Sequence, residues 1–179
     1  MEFTQPSDII DQLDIVPGMK AADLGAGSGH YTVALAKAVQ ASGVVFAVEV
    51  QREVLERLKK DLLDLHGLHN VECIWGDLEH VKGTKIADQS IDIAVLSNTL
   101  FQVEDRVGVL REIKRICKPT AEVLFVEWSD SHGGLGPVPE HIITPDVAQF
   151  LFTDSGFIFF KTVTTGAHHY GQIYKLVTY

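Results

Sequence analysis

The 179-residue chain is poor in cysteine: it has two, Cys73 and Cys117, and neither belongs to a Cys-x-x-Cys pair. That leaves no basis for a zinc ribbon or a dithiol redox centre. Both read as buried thiols, Cys73 in an apolar strand-like run and Cys117 near the end of an amphipathic helix. Positive charge is also short, with 15 Lys and Arg against 24 Asp and Glu, a net of −9. A broad electrostatic grip on DNA or RNA is therefore not expected, although a local basic patch is compatible with this balance. No apolar run approaches the roughly 20 residues of a membrane span. The first residues, Met1 to Pro6, lack the basic start and apolar core of a secretion signal, so a cytoplasmic location is expected by default. Internal repeats and low-complexity tracts are missing as well.

What is present is enough apolar sequence for a full core, 46% of the chain. One domain over 1–179 is expected, with 1–18 as an N-terminal helix or covering segment and 19–179 as the core. Residues 6–13 read as a short helix with Ile9, Ile10 and Leu13 apolar. Strands are expected at 20–24, 44–49, 71–75, 91–96, 122–128, 157–164 and 172–178. Helices fall between them at 30–40, 51–65, 103–117 and 144–154. The second of these four should bury Val54, Leu58, Leu62 and Leu65 and carry Glu53–Arg57 and Glu56–Lys60 pairs outside. The third should bury Val103, Val107, Leu110, Ile113 and Cys117 and end at Pro119. Residues 129–143 are rich in Gly and Pro and fit no regular element. Strands alternating with helices argue a three-layer α/β/α sheet, parallel except for the last strand.

The segment that organises the rest is Asp23-Leu24-Gly25-Ala26-Gly27-Ser28-Gly29. An apolar strand runs into three alternating glycines, then into an Ala-rich helix. Gly25 lets the chain turn sharply and Gly27 lets a ligand lie against the backbone. Gly29 lets the helix pack close to the sheet. A dinucleotide fingerprint needs glycine where His30 stands, so that pattern fails. A second apolar run ends at Glu49, where an acid can accept from both hydroxyls of a ribose.

These residues resemble motif I and its acidic partner in class I S-adenosylmethionine-dependent methyltransferases, over about residues 8–178. The resemblance is to the small, single-domain, ubiquinone- or menaquinone-type members. It implies a Rossmann-like sheet of strand order 3-2-1-4-5-7-6, S-adenosylmethionine as the cofactor and a small-molecule methyl acceptor. The implied cofactor set is Asp23, Gly25, Ala26, Gly27, Ser28, Gly29, Glu49, Val50, Gly76, Asp77, Leu78, Ser97 and Asn98. Asp77 would accept from the adenine amino group, or else it is an Asx-turn residue. Glu49 would hold the ribose, or else it is an exposed cap of the following helix. Asp23 would orient the glycine loop or meet the methionyl amino group. Ser97 and Asn98 would face the sulfonium end, or else form a turn.

The acceptor side is less distinct. Asn98-Thr-Leu-Phe101 stands where amino-group methylases carry an Asn-Pro-Pro-aromatic tetrad, so base amines are not expected acceptors. The cysteine set of arsenite methyltransferases is not apparent. Asn98, Trp128, Asp130, His132 and His141 are candidates for the acceptor or base. Phe101 and Trp128 are expected as apolar walls, and 129–143 with the N-terminal helix as a mobile cover. No metal site is expected; His168-His169 read first as hairpin residues, a metal pair being the alternative, and His66 and His69 as loop residues. A non-catalytic cofactor-binding regulator or partner subunit is the alternative function. A nicotinamide oxidoreductase fits worse, having neither the fingerprint nor a Tyr-x-x-x-Lys pair. The acceptor's identity and the oligomeric state are not legible.

Overall fold

The computed structural model describes residues 5–177. Residues 1–4 of the expected N-terminal segment lie outside the described residues. The elements in chain order are α1 (Pro6–Ile10), β1 (Lys20–Leu24), α2 (His30–Val39), β2 (Val44–Glu49), α3 (Arg52–Asp64), β3 (Val71–Trp75), β4 (Ile91–Ser97), α4 (Arg106–Ile116), β5 (Cys117–Trp128), α5 (Pro145–Asp154), β6 (Phe157–Val163) and β7 (His169–Leu176). The strands form one seven-stranded sheet in the order 3-2-1-4-5-7-6. β7 runs antiparallel to both of its neighbours, and the other pairings are parallel.

The sheet is buried on both faces, which is why β4 and the second half of β5 are nearly continuous apolar runs. Alternation along β5 sends Val123 and Phe125 to one face and Leu124 and Val126 to the other. The first face meets α4 and α5, where Phe152 stacks on Tyr174 at 4.0 Å between ring centroids and Phe125 lies 5.2 Å from Phe152. Each such ring contributes on the order of 1.5–3 kcal/mol by burial. The second face meets α1 and α2 through Ile9, Ile10, Leu35 and Val39.

The chain leaves β1 for β2 and β3 on one side, then returns to β4 on the other. Neighbouring loops therefore diverge at the carboxyl ends of β1 and β4 and leave a crevice there. The 76–90 link between β3 and β4 carries no helix. It is fastened to α4 by buried Glu112. That carboxylate accepts from the Thr84 hydroxyl at 2.6 Å, the Lys82 N–H at 2.9 Å and Arg115 at 2.6 Å. Burial alone would raise the Glu112 carboxyl, but bonds from Arg115, Thr84 and the backbone outweigh it and bring the pKa to about 2.

Several expected boundaries shift. α1 ends at Ile10 rather than 13. α3 buries Leu55, Leu58 and Leu62, whereas Leu65 lies beyond its last turn and is exposed. Its Glu56 pairs with Lys59 rather than Lys60. α4 starts at Arg106 because the Asp105 carboxylate accepts from the Gly108 N–H at 2.8 Å. That phase buries Val109, Leu110, Ile113 and Ile116 and leaves Val107 exposed. The helix ends at Ile116, so Pro119 lies within β5, near a register shift against β4. A residue without an N–H is tolerated at such an irregularity. Two short 3₁₀ turns, His132–Gly134 and Pro139–His141, occupy the stretch expected to be irregular. β7 begins three residues earlier than expected, at His169.

Candidate functional site

The glycine turn is tied to the neighbouring strand before it reaches the cavity. The N–H groups of Gly25 and Ala26 both donate to the Val48 carbonyl, at 2.9 and 3.0 Å. Gly25 adopts a φ of +80°, and a Cβ there would come within 2.4 Å of the Thr99 hydroxyl. Gly27, at φ +52°, is different in kind: a Cβ there would meet nothing closer than 3.9 Å. Its surroundings are open because it faces the cavity. Gly29 does not line the cavity. A side chain there would strike Leu58, so it seats α2 against α3 rather than against the sheet.

Glu49 ends β2 and is 7% exposed. One carboxylate oxygen accepts from the Gly27 N–H at 3.0 Å and the other from the Gln51 N–H at 2.9 Å. The carboxylate thus spans the glycine turn and the entry to α3, with further lone pairs for a ligand in the cavity it lines. Asp23 is 2% exposed and accepts from the Thr32 hydroxyl at 2.5 Å. Burial pushes its pKa up to about 6; the Thr32 bonds oppose this and the Glu49 charge adds to it. Its main partner is therefore the first turns of α2, although it also borders the cavity.

Trp75, paired beside Glu49 at the carboxyl end of β3, holds the same end of the sheet. Its indole N–H donates to the Val50 carbonyl at 2.9 Å, and the Arg52 guanidinium lies 3.9 Å from the ring centre. Asp77 accepts from the Glu79 N–H at 2.9 Å, an Asx turn, and its second oxygen pairs with His80 at 3.0 Å. Gly76, Asp77 and Leu78 all line the cavity, as do Ala26, Ser28 and Val50. Ser97 and Asn98 end β4 on the opposite wall. Asn98 has φ +51°, and its N–H donates to Val126. Its side-chain oxygen is buried with no hydrogen-bond partner among the described residues. A buried acceptor left open in this way suits a donor group on a bound molecule.

The cavity itself has a volume of about 810 Å³. Of the expected cofactor set, all but Gly29 line it. Its far wall is Val103, Val126, Trp128 and His169, with Pro6 and Ile9 of α1 above. Trp128 and His169 pack ring on ring at 4.2 Å. Asp130, His132 and His141 do not line the cavity, nor does any other residue of 129–143. In this structure Gly166 and His169, at the β6–β7 hairpin, border the cavity on that side. Phe101 packs into the core instead of forming a wall. Leu13 is likewise buried in the core, and only Ile9 of the two expected covering residues reaches the cavity.

Two functional features escaped the sequence reading. His169 became visible only through the β5–β7 pairing, which sets it opposite Trp128. Glu127 is fully buried on the other face of β5 from Trp128, with one oxygen accepting from the Trp128 N–H at 3.0 Å. Its other oxygen has no hydrogen-bond partner among the described residues. Burial pushes its pKa up to about 7, against the backbone N–H groups of Trp128, Phe101 and Leu100 and the charge of Arg106. A charged residue closing the apolar run 123–126 was the available signal.

Known proteins share this arrangement. A family model described as a methyltransferase domain matches residues 15–146. A demethylmenaquinone methyltransferase of Geobacillus stearothermophilus is 30% identical over 122 residues, 68% of this chain and 50% of that protein. An arsenite methyltransferase of Aquipseudomonas alcaligenes is 35% identical over 115 residues, 62% of this chain and 33% of that protein. The chain thus spans about half the length of the first curated relatives. Among solved structures, an SAM-dependent methyltransferase from Aquifex aeolicus superposes with a TM-score of 0.87 at 26% identity, covering 96% of this chain and 89% of that one. A type 11 methyltransferase from Sulfolobus solfataricus, at 21% identity and a TM-score of 0.72 over 89% of this chain and 84% of that one, shares the fold.

Proposed function

Because the chain belongs to the methyltransferase domain family, we propose that it transfers a methyl group from S-adenosylmethionine to a small-molecule acceptor. The observation that carries this reading is the Glu49 carboxylate, buried at the end of β2, bonded to the Gly27 N–H and facing a turn with no side chain in the way. The residues fit the cofactor. Glu49 would accept the ribose hydroxyls through charge-assisted bonds. Asp77, Leu78 and Val50 would border the adenine. The buried, open oxygen of Asn98 would accept from the methionyl ammonium. When bound, S-adenosylmethionine supplies an electrophilic methyl carbon.

What the chain's own residues contribute is placement. The turn 25–28 is fixed to Val48 and Glu49, so it needs little reordering to receive a ligand. Trp128, Val126 and Val103 give the far wall an apolar surface, which would favour the exclusion of water once an acceptor is bound. His169 is the imidazole on that wall. Burial, aided by neighbouring His168, lowers its pKa from the ordinary histidine value, which favours the neutral ring that could take a proton from an acidic acceptor.

An apolar wall with one imidazole favours a ring hydroxyl or an activated ring carbon over arsenic. Capture of arsenic calls for thiolates. Cys117 is 1% exposed, with its thiol pushed up to about 12 by burial, and neither cysteine lines the cavity. Incubation with isotopically labelled S-adenosylmethionine and small-molecule extracts, followed by mass spectrometry, tests the proposal. A labelled, heat-sensitive product is expected. Cofactor binding with no transfer to any acceptor would favour a non-catalytic binding subunit instead.

A further inference from the structure

The β5–β7 pairing ends at Trp128 and His169, and the Ser129 N–H continues it by donating to the His168 carbonyl at 2.9 Å. The residues just after β5 and just before β7 are therefore forced together. Asp130 and His132 come from the first strand's exit and His168 from the second's entry. The His168 Nδ1 lies 2.9 and 3.1 Å from the two Asp130 oxygens. The His132 ring stacks on that of His168 at 3.5 Å between centroids, tilted by 27°. His132 is also held by its own turn, its N–H donating to Asp130 at 2.8 Å. One donor atom from each of the three residues lies within 4.8 Å of the other two.

We infer that Asp130, His132 and His168 form a binding site for a divalent first-row transition-metal ion such as Zn²⁺. An ion pair would account for Asp130 with His168. That pair uses one imidazole, and the His132 ring stacked on it brings a second nitrogen donor to the same place. Around a divalent cation both rings are neutral ligands, and the single carboxylate offsets half of the charge. Two nitrogens and one oxygen suit zinc and its neighbours rather than calcium or magnesium. Donors bound at about 2.0–2.2 Å sit roughly 3.0–3.5 Å apart around such an ion, a spacing the Asp130–His168 pair already has. The His132 ring must turn out of its stack on binding, since parallel rings cannot aim both lone pairs at one point. Three protein ligands leave coordination positions open for water or for an oxygen of another molecule.

The site is separate from the donor pocket and does not depend on methyl transfer. Its consequence is nonetheless local: the ion ties the exit of β5 to the hairpin that carries His169, one residue from the cavity wall. Occupancy would therefore hold the Trp128–His169 wall in place.

The test uses chelator-stripped, tag-free full-length protein at pH 7.5, titrated with Zn²⁺ by calorimetry and with Co²⁺ by visible absorbance. One ion per chain is expected. His132→Ala and His168→Ala should each weaken binding by at least roughly 10–100-fold, the cost typical of losing even a group that only supports a metal ligand. His66→Ala/His69→Ala, on an exposed loop, should bind as the unaltered protein does. Circular dichroism and S-adenosylhomocysteine binding establish that each variant is folded. Absence of binding, or equal binding by folded His132→Ala and His168→Ala proteins, would overturn the assignment.

Discussion

Glu49 and Glu127 each stand at or near the carboxyl end of a strand, and they behave differently: Glu49 lines the cavity and Glu127 does not. Glu49 gives each oxygen a backbone N–H and lies against open space. Glu127 accepts from the Trp128 N–H, has the N–H groups of Leu100 and Phe101 beside it, and is fully buried. The first is a carboxylate with lone pairs left open to a ligand in the cavity. The second is a carboxyl held protonated toward neutral pH by the cost of burying its charge. Neither burial nor backbone donors alone therefore mark a binding acid; a place on the cavity wall does. The donor end of the cavity is assembled from strand termini and main-chain N–H groups. The acceptor end is assembled from side chains, Val126 and Trp128 at the end of β5, His169 at the start of β7 and Val103 before α4.

The largest expected effect tests the Glu127 half of that contrast. Its folded pKa, about 7, lies above its ordinary value of 4.5. Its contribution to stability is therefore fully present below 4.5 and is lost as pH rises through 7. At 1.36 kcal/mol per unit the loss is about 3 kcal/mol. Asp23, raised from 3.8 to about 6, adds a loss of the same sign at lower pH. Urea unfolding at pH 5 and pH 8 should show this decline, and Glu127→Gln should remove its upper part. An unchanged slope in the variant would show that Glu127 is ionised in the fold.

Glu49→Ala comes next. Loss of charge-assisted bonds should weaken S-adenosylhomocysteine binding by roughly 2–3 kcal/mol. The Gly27 and Gln51 N–H groups also lose their acceptor, so the unliganded protein should melt lower as well. A variant that melts lower but binds normally would make Glu49 a brace for the turn and nothing more.

Thr32→Val should cost about 1–2 kcal/mol of stability, because Asp23 is left buried with its hydroxyl partner gone. Its effect on S-adenosylhomocysteine affinity should be much smaller than that of Glu49→Ala; the reverse would move Asp23 from the frame to the ligand. Smallest is the effect of Trp128→Ala on the donor end. Affinity for S-adenosylhomocysteine should change by less than about 0.5 kcal/mol, while acceptor KM rises. Loss of cofactor affinity in that variant would erase the division of the cavity into two ends.

The same division explains what could be read from the chain. The strand order was implied by the family resemblance, whereas the donor wall follows from short-range signals: alternating glycines, an acid at a strand end and apolar runs of the right length. Gly25, Gly27 and Glu49 act within one turn or between adjacent strands, so sequence proximity nearly fixes their meeting. Boundaries failed where a local detail set the helical phase. Asp105 as the cap of α4 replaced Val107 with Val109 in the core, and the end of α3 before Leu65 left that residue exposed. The acceptor end was hidden because it depends on partners far apart in sequence. His169 meets Trp128 only through the antiparallel pairing of β5 with β7, and Ile9 reaches the cavity only because α1 folds over α2. The 129–143 stretch carried suggestive residues, but its course takes them away from the cavity.

The most direct test of the donor site is calorimetry of the unaltered protein with S-adenosylhomocysteine, S-adenosylmethionine and NAD in parallel. The arrangement of Gly27, Glu49 and Asn98 predicts single-site binding of both sulfur compounds and far weaker binding of NAD. Tight NAD binding with no response to either sulfur compound would contradict it.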